Sequence, residues 1–279
     1  MVIAVSAFAI MNVAIKYLKH FSAIELVFYR AIITLIISGY FIYKNNVKIK
    51  GNNTKLLVLR GIFGFLGLLF YFVTVQKLNL ANAVILQYTS PIFTVLIASI
   101  VLKEKILKLQ WFAFCICLSG LLMIKNFGKI EPIYFMLGIL SAFFSGCAYN
   151  VIRKLKTSES ANLIVFYFPL VTLPVASILL IINPQFIIPN IVDIFWLLLM
   201  GCCTQIAQFT MTIAYQKGSA ARISSISYLG LGYALIFGAL LFKEKPNYLE
   251  TVGLAVILIG VLTNLYATKI IDLYKKARH

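Results

Sequence analysis

Long apolar runs, separated by short polar segments, dominate the sequence. A helix needs about 20 residues to cross a hydrocarbon layer of ~30 Å, and runs of roughly this length recur along the chain. Segments of alternating apolar and polar positions, the pattern of membrane strands, do not occur. The pattern therefore predicts an all-α integral membrane protein. Its ten predicted transmembrane helices cover residues 1–18, 22–43, 56–75, 82–102, 108–124, 132–152, 162–182, 192–214, 220–242 and 248–268.

Composition and side-chain chemistry agree with a membrane protein and exclude metal chemistry. The chain is 62% hydrophobic and 12% charged, and its mean hydropathy of +0.97 exceeds what a water-soluble domain could bury in one core. The five cysteines lie inside predicted spans, and no cysteine or histidine spacing resembles a tetrahedral metal site. We therefore expect no metal site and no cofactor.

The net charge of +17 would suggest nucleic-acid binding in a soluble protein, but here it predicts membrane orientation. If the amino terminus faces the cytoplasm, about two-thirds of the Lys and Arg residues fall in cytoplasmic loops and the tail, Arg60 among them. We expect a multi-pass protein of the cell membrane, in bacteria the inner membrane, with both termini cytoplasmic. We expect it to act as a monomer or homodimer and not to bind nucleic acid.

The chain contains an internal repeat. The segment that begins "QKLNLANAVILQYTSPIF" at Gln76 matches the segment "QKGSAARISSISYLGLGY" that begins at Gln216, without a gap. Upstream the offset is 138 residues, where "NVAIK" at 12 matches "NVIRK" at 150 and "VFY" at 27 recurs at 165. Identical pairs downstream include Gln76 and Gln216, Lys77 and Lys217, Ala81 and Ala221, Tyr88 and Tyr228, Lys103 and Lys243, Glu104 and Glu244, Lys105 and Lys245, Leu109 and Leu249, and Gly120 and Gly260.

This repeat predicts the duplication of a five-helix unit. Because five is odd, the second copy starts on the opposite side of the membrane, and the repeats are inverted. We expect a first repeat at 1–124, a second at 132–268 and a basic cytoplasmic tail at 269–279. The counterpart of Pro132 falls before Met1, so we expect a tilted first helix or a start codon a few residues upstream.

These motifs resemble the drug/metabolite transporter superfamily, specifically ten-span proteins with two EamA-type repeats. The resemblance covers nearly the whole chain and is carried by "VFYR" at 27–30, "RGIFGFLG" at 60–67, Pro91 and the "LKEK" and "FKEK" corners. It implies a basket of ten helices that moves small metabolites by alternating access, without ATP hydrolysis. Such proteins often carry a proline where this chain has Leu231, and we expect Gly230 and Gly232 to supply the bend instead.

Polar residues inside predicted spans indicate which helix faces point inward. On the third span, small and polar groups from Arg60 to Thr74 share one stripe, and the eighth span has a similar stripe from Gly201 to Tyr215. Small groups such as Gly64 and Gly67 suit helix packing. The substrate-binding candidates are Arg30, Tyr71, Gln87, Tyr88, Asn150, Gln205, Gln208 and Tyr228.

Arg30 is the one ionised residue that the pattern places deep inside a span. Ser22 and Glu25 form a capping-box sequence, which puts Arg30 ~12 Å from the start of its helix. At that depth an unpaired charge costs about 2.5–3.5 kcal/mol. A substrate carboxylate or phosphate is one partner for Arg30, and backbone carbonyls or snorkelling to the interface are the structural alternative.

The sequence predicts a secondary transporter for a small metabolite, such as an amino acid, organic anion or nucleoside-type compound. It has no P-loop and no Asp or Glu deep in a span, so neither ATP hydrolysis nor a carboxylate proton carrier is indicated. A lipid flippase or scramblase is the alternative. An intramembrane enzyme is a weaker one, because HExxH and GxSxG motifs are absent.

Overall fold

The computed structural model describes residues 1–78, 80–103, 108–123, 131–182, 186–243 and 248–276. All regular structure in these ranges is helical, which confirms the all-α prediction for this part of the chain. The helices are α1 Val2–Tyr17, α2 Ala23–Lys44, α3 Thr54–Lys77, α4 Leu80–Gln87, α5 Ser90–Val101, α6 Lys108–Met123, α7 Pro132–Lys154, α8 Ala161–Ile182, α9 Ile191–Lys217, α10 Ala220–Ser227, α11 Leu229–Phe242 and α12 Tyr248–Lys276.

Within the described ranges, seven helical stretches are long and apolar enough to cross a membrane. They are Ala23–Lys44, Thr54–Lys77, Asn82–Val101, Pro132–Lys154, Ala161–Ile182, Ile191–Lys217 and Arg222–Phe242. Val2–Tyr17 and Thr251–Asn264 are shorter apolar helices. The protein is therefore a multi-pass membrane protein, whereas the count of ten spans stays a prediction.

Two of these membrane-length stretches contain a break that the apolar pattern does not reveal. The fourth predicted span divides into α4 and α5 at Tyr88, and the ninth divides into α10 and α11 at Tyr228, the equivalent residue of the second half. Both breaks contain turns with i to i+3 backbone hydrogen bonds, including Leu231 N to Tyr228 O at 3.0 Å. Pro91, in the first turn of α5, favours a helix start there. The second half has no such proline, and its break precedes Gly230.

The helices of the two halves contact one another in equivalent pairs. Helix α3 packs along α7, and its counterpart α9 packs along α1. Likewise α3 contacts α8 and α9 contacts α2, while α5 meets α10 and α11 meets α4. Helices α2 and α8 pack on each other, as do α6 and α12. The contacts of α1–α6 are thus repeated in equivalent form by α7–α12.

Glycines permit close helix crossings at several of these contacts. A methyl group at Gly120 would lie 2.6 Å from the carbonyl oxygen of Gly253, and one at Gly260 would lie 3.0 Å from that of Ala113. A methyl group at Gly67 would lie 2.9 Å from Ser145 Oγ. The small residues therefore allow α6 to approach α12 and α3 to approach α7, as in other membrane helix pairs.

Hydrogen bonds at the helix ends are also repeated. Gln76 Nε2 donates to the carbonyl oxygen of Phe21 at 2.6 Å, and Gln216 Nε2 donates to that of Glu159 at 3.0 Å. Each bond ties the end of a long helix, α3 or α9, to the turn between the first two helices of its own half. We call these two bonds the glutamine latches.

The turns at the helix ends confirm part of what the sequence predicts for them. The predicted capping box is present, since Ser22 N donates to Glu25 Oε2 at 2.7 Å and Glu25 N to Ser22 Oγ at 3.2 Å. Lys103 and Lys243 occupy equivalent positions and both have left-handed backbone angles, with φ of 52° and 54°. The remaining corner residues, Glu104, Lys105, Glu244 and Lys245, lie outside the described residues.

Candidate functional site

A cavity of about 110 Å³ lies at the centre of the molecule, between the two halves. Its walls come from α1, α2, α3, the α4–α5 break, α7, α8, α9 and α10. A water molecule needs roughly 10–15 Å³ by this measure, so the cavity has room for several water-sized groups. Since neither half encloses it alone, the cavity depends on the packing between the halves.

Two arginines reach this cavity from the first half of the chain. Arg30 on α2 and Arg60 on α3 are both 2% exposed. Arg30 Nε donates to Thr204 Oγ1 at 3.1 Å, and Arg60 Nη2 donates to Gln208 Oε1 at 2.7 Å. The expectation that Arg60 lies in a cytoplasmic loop is wrong, because the residue is inside α3 and its side chain is buried between the helices.

Both guanidinium groups lie against one aromatic ring. The Cζ atoms of Arg30 and Arg60 are 5.0 and 4.2 Å from the centroid of the Phe168 ring on α8. Such cation–π contacts are worth ~2 kcal/mol or more where water is excluded. Gly64 leaves room for this cluster, since a methyl group there would lie 2.7 Å from the ring and 2.8 Å from Arg60 Nη1. We call Arg30, Phe168 and Arg60 the arginine–phenylalanine cluster.

The positive charge of this cluster has no counter-charge in the described part of the chain. Arg30 Nη2 and the Nε and Nη1 groups of Arg60 are buried and have no hydrogen-bond partner there. The buried carboxylates Glu25, Glu159 and Asp193 are engaged at helix ends and loops. Burying a charge without a partner costs several kcal/mol. The cluster is therefore suited to bind an anion.

The cavity is also lined by polar, uncharged side chains. Gln87 receives a hydrogen bond from Ser141 Oγ at 2.6 Å and donates one to Ser145 Oγ at 3.0 Å, both on α7. The ring of Tyr149 stacks on that of Tyr215, with centroids 4.8 Å apart. These contacts fix side chains from both halves around the cavity.

The substrate-binding candidates from the sequence divide into two groups. Those that line the cavity are Arg30, Tyr71, Gln87, Tyr88 and Gln208. Those that do not are Asn150, Gln205 and Tyr228.

Two of the residues outside the cavity have clear packing roles. Asn150 Nδ2 donates to the carbonyl oxygens of Thr94 and Gly146, at 2.9 Å each, and so joins α7 to α5. The ring of Tyr228 lies 5.9 Å from that of Tyr88, where the two helix breaks meet. The third, Gln205, is buried on α9, and its Oε1 has no hydrogen-bond partner among the described residues.

The substrate-binding candidates predicted from the sequence omit two members of the site, Arg60 and Phe168. Arg60 lies on the same stripe as Tyr71, eleven residues away, and this helical spacing was the available signal. Phe168 is the equivalent of Arg30 in the second repeat, 138 residues later, directly after the matched "VFY" segment. The second repeat therefore has a phenylalanine where the first has an arginine. An aromatic ring among many apolar residues gave no indication of a contact with a cation.

Comparison with known proteins follows this geometry. The model of the EamA-like transporter family matches residues 1–125 and 132–266. An uncharacterized transporter of Helicobacter pylori is 31% identical over 265 residues, which cover 90% of this chain and 88% of that protein. The pseudopaline exporter CntI of Pseudomonas aeruginosa is 29% identical, covering 94% of this chain and 93% of the exporter. Mouse solute carrier family 35 member G1 is 25% identical, covering 90% and 73%.

A solved crystal structure supports the fold. It superposes with a TM-score of 0.78 at 15% sequence identity and covers 96% of this chain and 97% of its own. The family and its named members are transporters rather than enzymes, which implies a small-molecule substrate. The chain belongs to the EamA-like transporter family, within the drug/metabolite transporter superfamily.

Proposed function

We propose that the protein is a secondary transporter that carries a small anionic or zwitterionic metabolite across the bacterial inner membrane. The observation that carries this proposal is the arginine–phenylalanine cluster, whose two buried cations lack a counter-charge in the described residues and line a cavity between the halves. An amino acid, an organic anion or a nucleoside-type compound with an acidic group meets that requirement. The substrate binds at the midplane, and access alternates between the two membrane faces.

Ten spans in two inverted repeats are part of this proposal. The first repeat comprises 1–124, the second 132–268, and the basic tail at 269–279 lies in the cytoplasm with the amino terminus. The paired contacts between α1–α6 and α7–α12 support it, as do the equivalent breaks at Tyr88 and Tyr228. Inverted repeats around a central site allow one set of contacts to open to either side.

The residues of the cavity divide the work of binding. Arg30 and Arg60 hold the acidic part of the substrate, because charge-assisted hydrogen bonds to guanidinium are among the strongest in proteins. Tyr71, Gln87 and Tyr88 contact the remainder of the molecule. Gln208, which accepts from Arg60, orients that guanidinium.

Transport by purified protein in lipid vesicles tests the proposal. We expect carrier-dependent uptake or efflux of an anionic metabolite that Arg30→Gln depresses at least tenfold, since the substitution removes one charge from the cavity. Arg222→Gln is the matched control, because Arg222 is exposed on α10. A pH gradient across the vesicle distinguishes proton coupling from exchange or facilitated diffusion.

The competing function is tested in the same vesicles. If labelled phospholipid crosses the bilayer in a protein-dependent manner while no solute flux is found, the protein is a lipid flippase or scramblase. If wild-type protein and protein-free vesicles show equal fluxes of solutes and lipid, transport through this cavity is refuted.

A further inference from the structure

The two arginines indicate more about the substrate than a general preference for anions. Resting on the proposed function, we propose that the substrate carries two separate anionic groups, one bound by Arg30 and the other by Arg60. The class of compound is a small aliphatic dicarboxylate, with or without an amino group.

The charge balance of the cavity is the first argument. The described residues offer neutral partners to the two guanidinium groups, a threonine hydroxyl for Arg30 and a glutamine carbonyl for Arg60. A substrate with one negative charge would leave a second buried cation uncompensated, at a cost of several kcal/mol. A substrate with two negative charges compensates the charges of both guanidinium groups.

The positions of the unpaired N–H groups are the second argument. Unpaired nitrogens occur on both side chains, at Nη2 of Arg30 and at Nε and Nη1 of Arg60, within the described part of the structure. One carboxylate on Arg30 would leave the unpaired groups of Arg60 unbonded, and the reverse holds as well. Two carboxylates provide acceptors for both guanidinium groups.

The distances set the size of the molecule. Both Cζ atoms lie within 5.0 Å of the centroid of the Phe168 ring. Both cations therefore lie close to one ring, and a short carbon chain is long enough to join two carboxylates that contact them. The cavity of about 110 Å³ is also suited to a short chain.

Asn12 provides a hydrogen-bond acceptor for those compounds of the class that carry an amino group. Asn12 lines the cavity, and its Oδ1 has no donor among the described residues. A substrate ammonium group would satisfy this oxygen. Acidic amino acids thus belong to the proposed class, together with simple dicarboxylates.

The test compares matched compounds on wild-type protein in vesicles. Succinate is paired with its half-amide succinamate, and glutamate is paired with glutamine, so that each pair differs by one charge at nearly equal size. We expect at least a tenfold lower half-saturation concentration for the diacid of at least one pair. Because this comparison uses the wild-type chain, it holds whether or not a variant folds.

The role of the second arginine is tested by Arg60→Gln. We expect this variant to lose the preference for the diacid, because its diacid flux falls at least tenfold while its half-amide flux changes little. Arg222→Gln, on the exposed face of α10, should keep the wild-type preference. Retention of the full preference in Arg60→Gln would overturn the assignment of the second anionic group.

The other outcomes are distinguishable. Preference for glycerol 3-phosphate over every diacid would show that one doubly charged group is bound, which overturns the two-group assignment. Preference for the half-amide and glutamine would overturn the inference and leave the transporter function standing. Fluxes of the whole panel equal to those of protein-free vesicles would overturn the proposed function itself.

Discussion

The two halves of the chain, α1–α6 and α7–α12, have the same architecture and differ in the charge that they bring to the cavity. Both contain a helix break at an equivalent tyrosine, Tyr88 or Tyr228, and both have a left-handed lysine, Lys103 or Lys243. Both arginines of the cavity come from the first half. At the position equivalent to Arg30, the second half has Phe168, whose ring lies against both guanidinium groups.

This comparison separates what the fold needs from what the substrate needs. Helix breaks, glycine contacts and glutamine latches recur because each half must pack in the same way. The charge of the cavity does not recur, because a third arginine beside Arg30 and Arg60 would add repulsion without a new partner. The equivalent position therefore holds a buried cation in the first half and, in the second half, the ring that contacts this cation.

Introducing an arginine in the second half at the position equivalent to Arg30 should have the largest effect on stability. Phe168→Arg would place a third cation beside Arg30 and Arg60 and remove the ring that contacts both. We expect a loss of about 3–5 kcal/mol, as for other uncompensated buried charges, and little folded protein after size-exclusion chromatography in detergent. Phe168→Leu is the comparison variant, because it removes the ring and both cation–π contacts without adding a charge, so only the additional loss of Phe168→Arg reports the third cation. A normal melting temperature for Phe168→Arg would contradict this view of the cluster.

Two glycines of the second half offer a sharper comparison at the helix break. A methyl group at Gly230 would overlap Tyr88 Oη from the first half, whereas one at Gly232 would meet nothing within 4 Å. Gly230→Ala should therefore lower stability by about 1–3 kcal/mol. Gly232→Ala should raise it by up to ~1 kcal/mol, because alanine favours helix.

A second substitution checks the cause of the Gly230 effect. Tyr88→Phe removes the hydroxyl that the new methyl group would meet, so the double variant should recover part of the lost melting temperature. If Gly230→Ala and Gly232→Ala melt alike, the contact between the two breaks is not present in the protein.

These features mark the limit of what the sequence could predict about the fold. The apolar runs predicted the helices, and the matched segments from Gln76 and Gln216 predicted their equivalence. Pro91 and Gly230 lie within three residues of the breaks at Tyr88 and Tyr228 and were a partial signal, but the apolar runs alone predicted each span as one helix. What distinguishes them is the contact of one break with the other, which only the packed structure brings together.

The same limit applies to the site. Arg30 was predicted as a buried cation because the capping box at Ser22 fixed its depth. Arg60 lies only about two turns into α3, where an arginine can equally reach the interface, so its sequence position did not decide between the two. Its burial follows from the packing of α3 against α7 and α8 and from the space that Gly64 leaves.

The glutamine latches should give the smallest effects, and the two should be similar. Gln76→Leu and Gln216→Leu each remove the donor to one loop carbonyl. A net loss of about 0.5–1.5 kcal/mol is expected for each, measured as melting temperature in detergent. Lys77→Ala and Lys217→Ala, at the neighbouring exposed positions, serve as controls and should melt as the wild type does. If only one of the two glutamine substitutions lowers the melting temperature, the two latches are not equivalent.

The opposite orientation of the two halves is the central claim, and cysteine labelling tests it most directly. Glu104→Cys and Glu244→Cys place one label at the equivalent corner of each half, on a background in which the five native cysteines are replaced by alanine. Intact cells and inside-out vesicles are treated with a membrane-impermeant maleimide. We expect position 104 to react only from the cytoplasmic side and position 244 only from the opposite side. Reaction of both positions from the same side would contradict it.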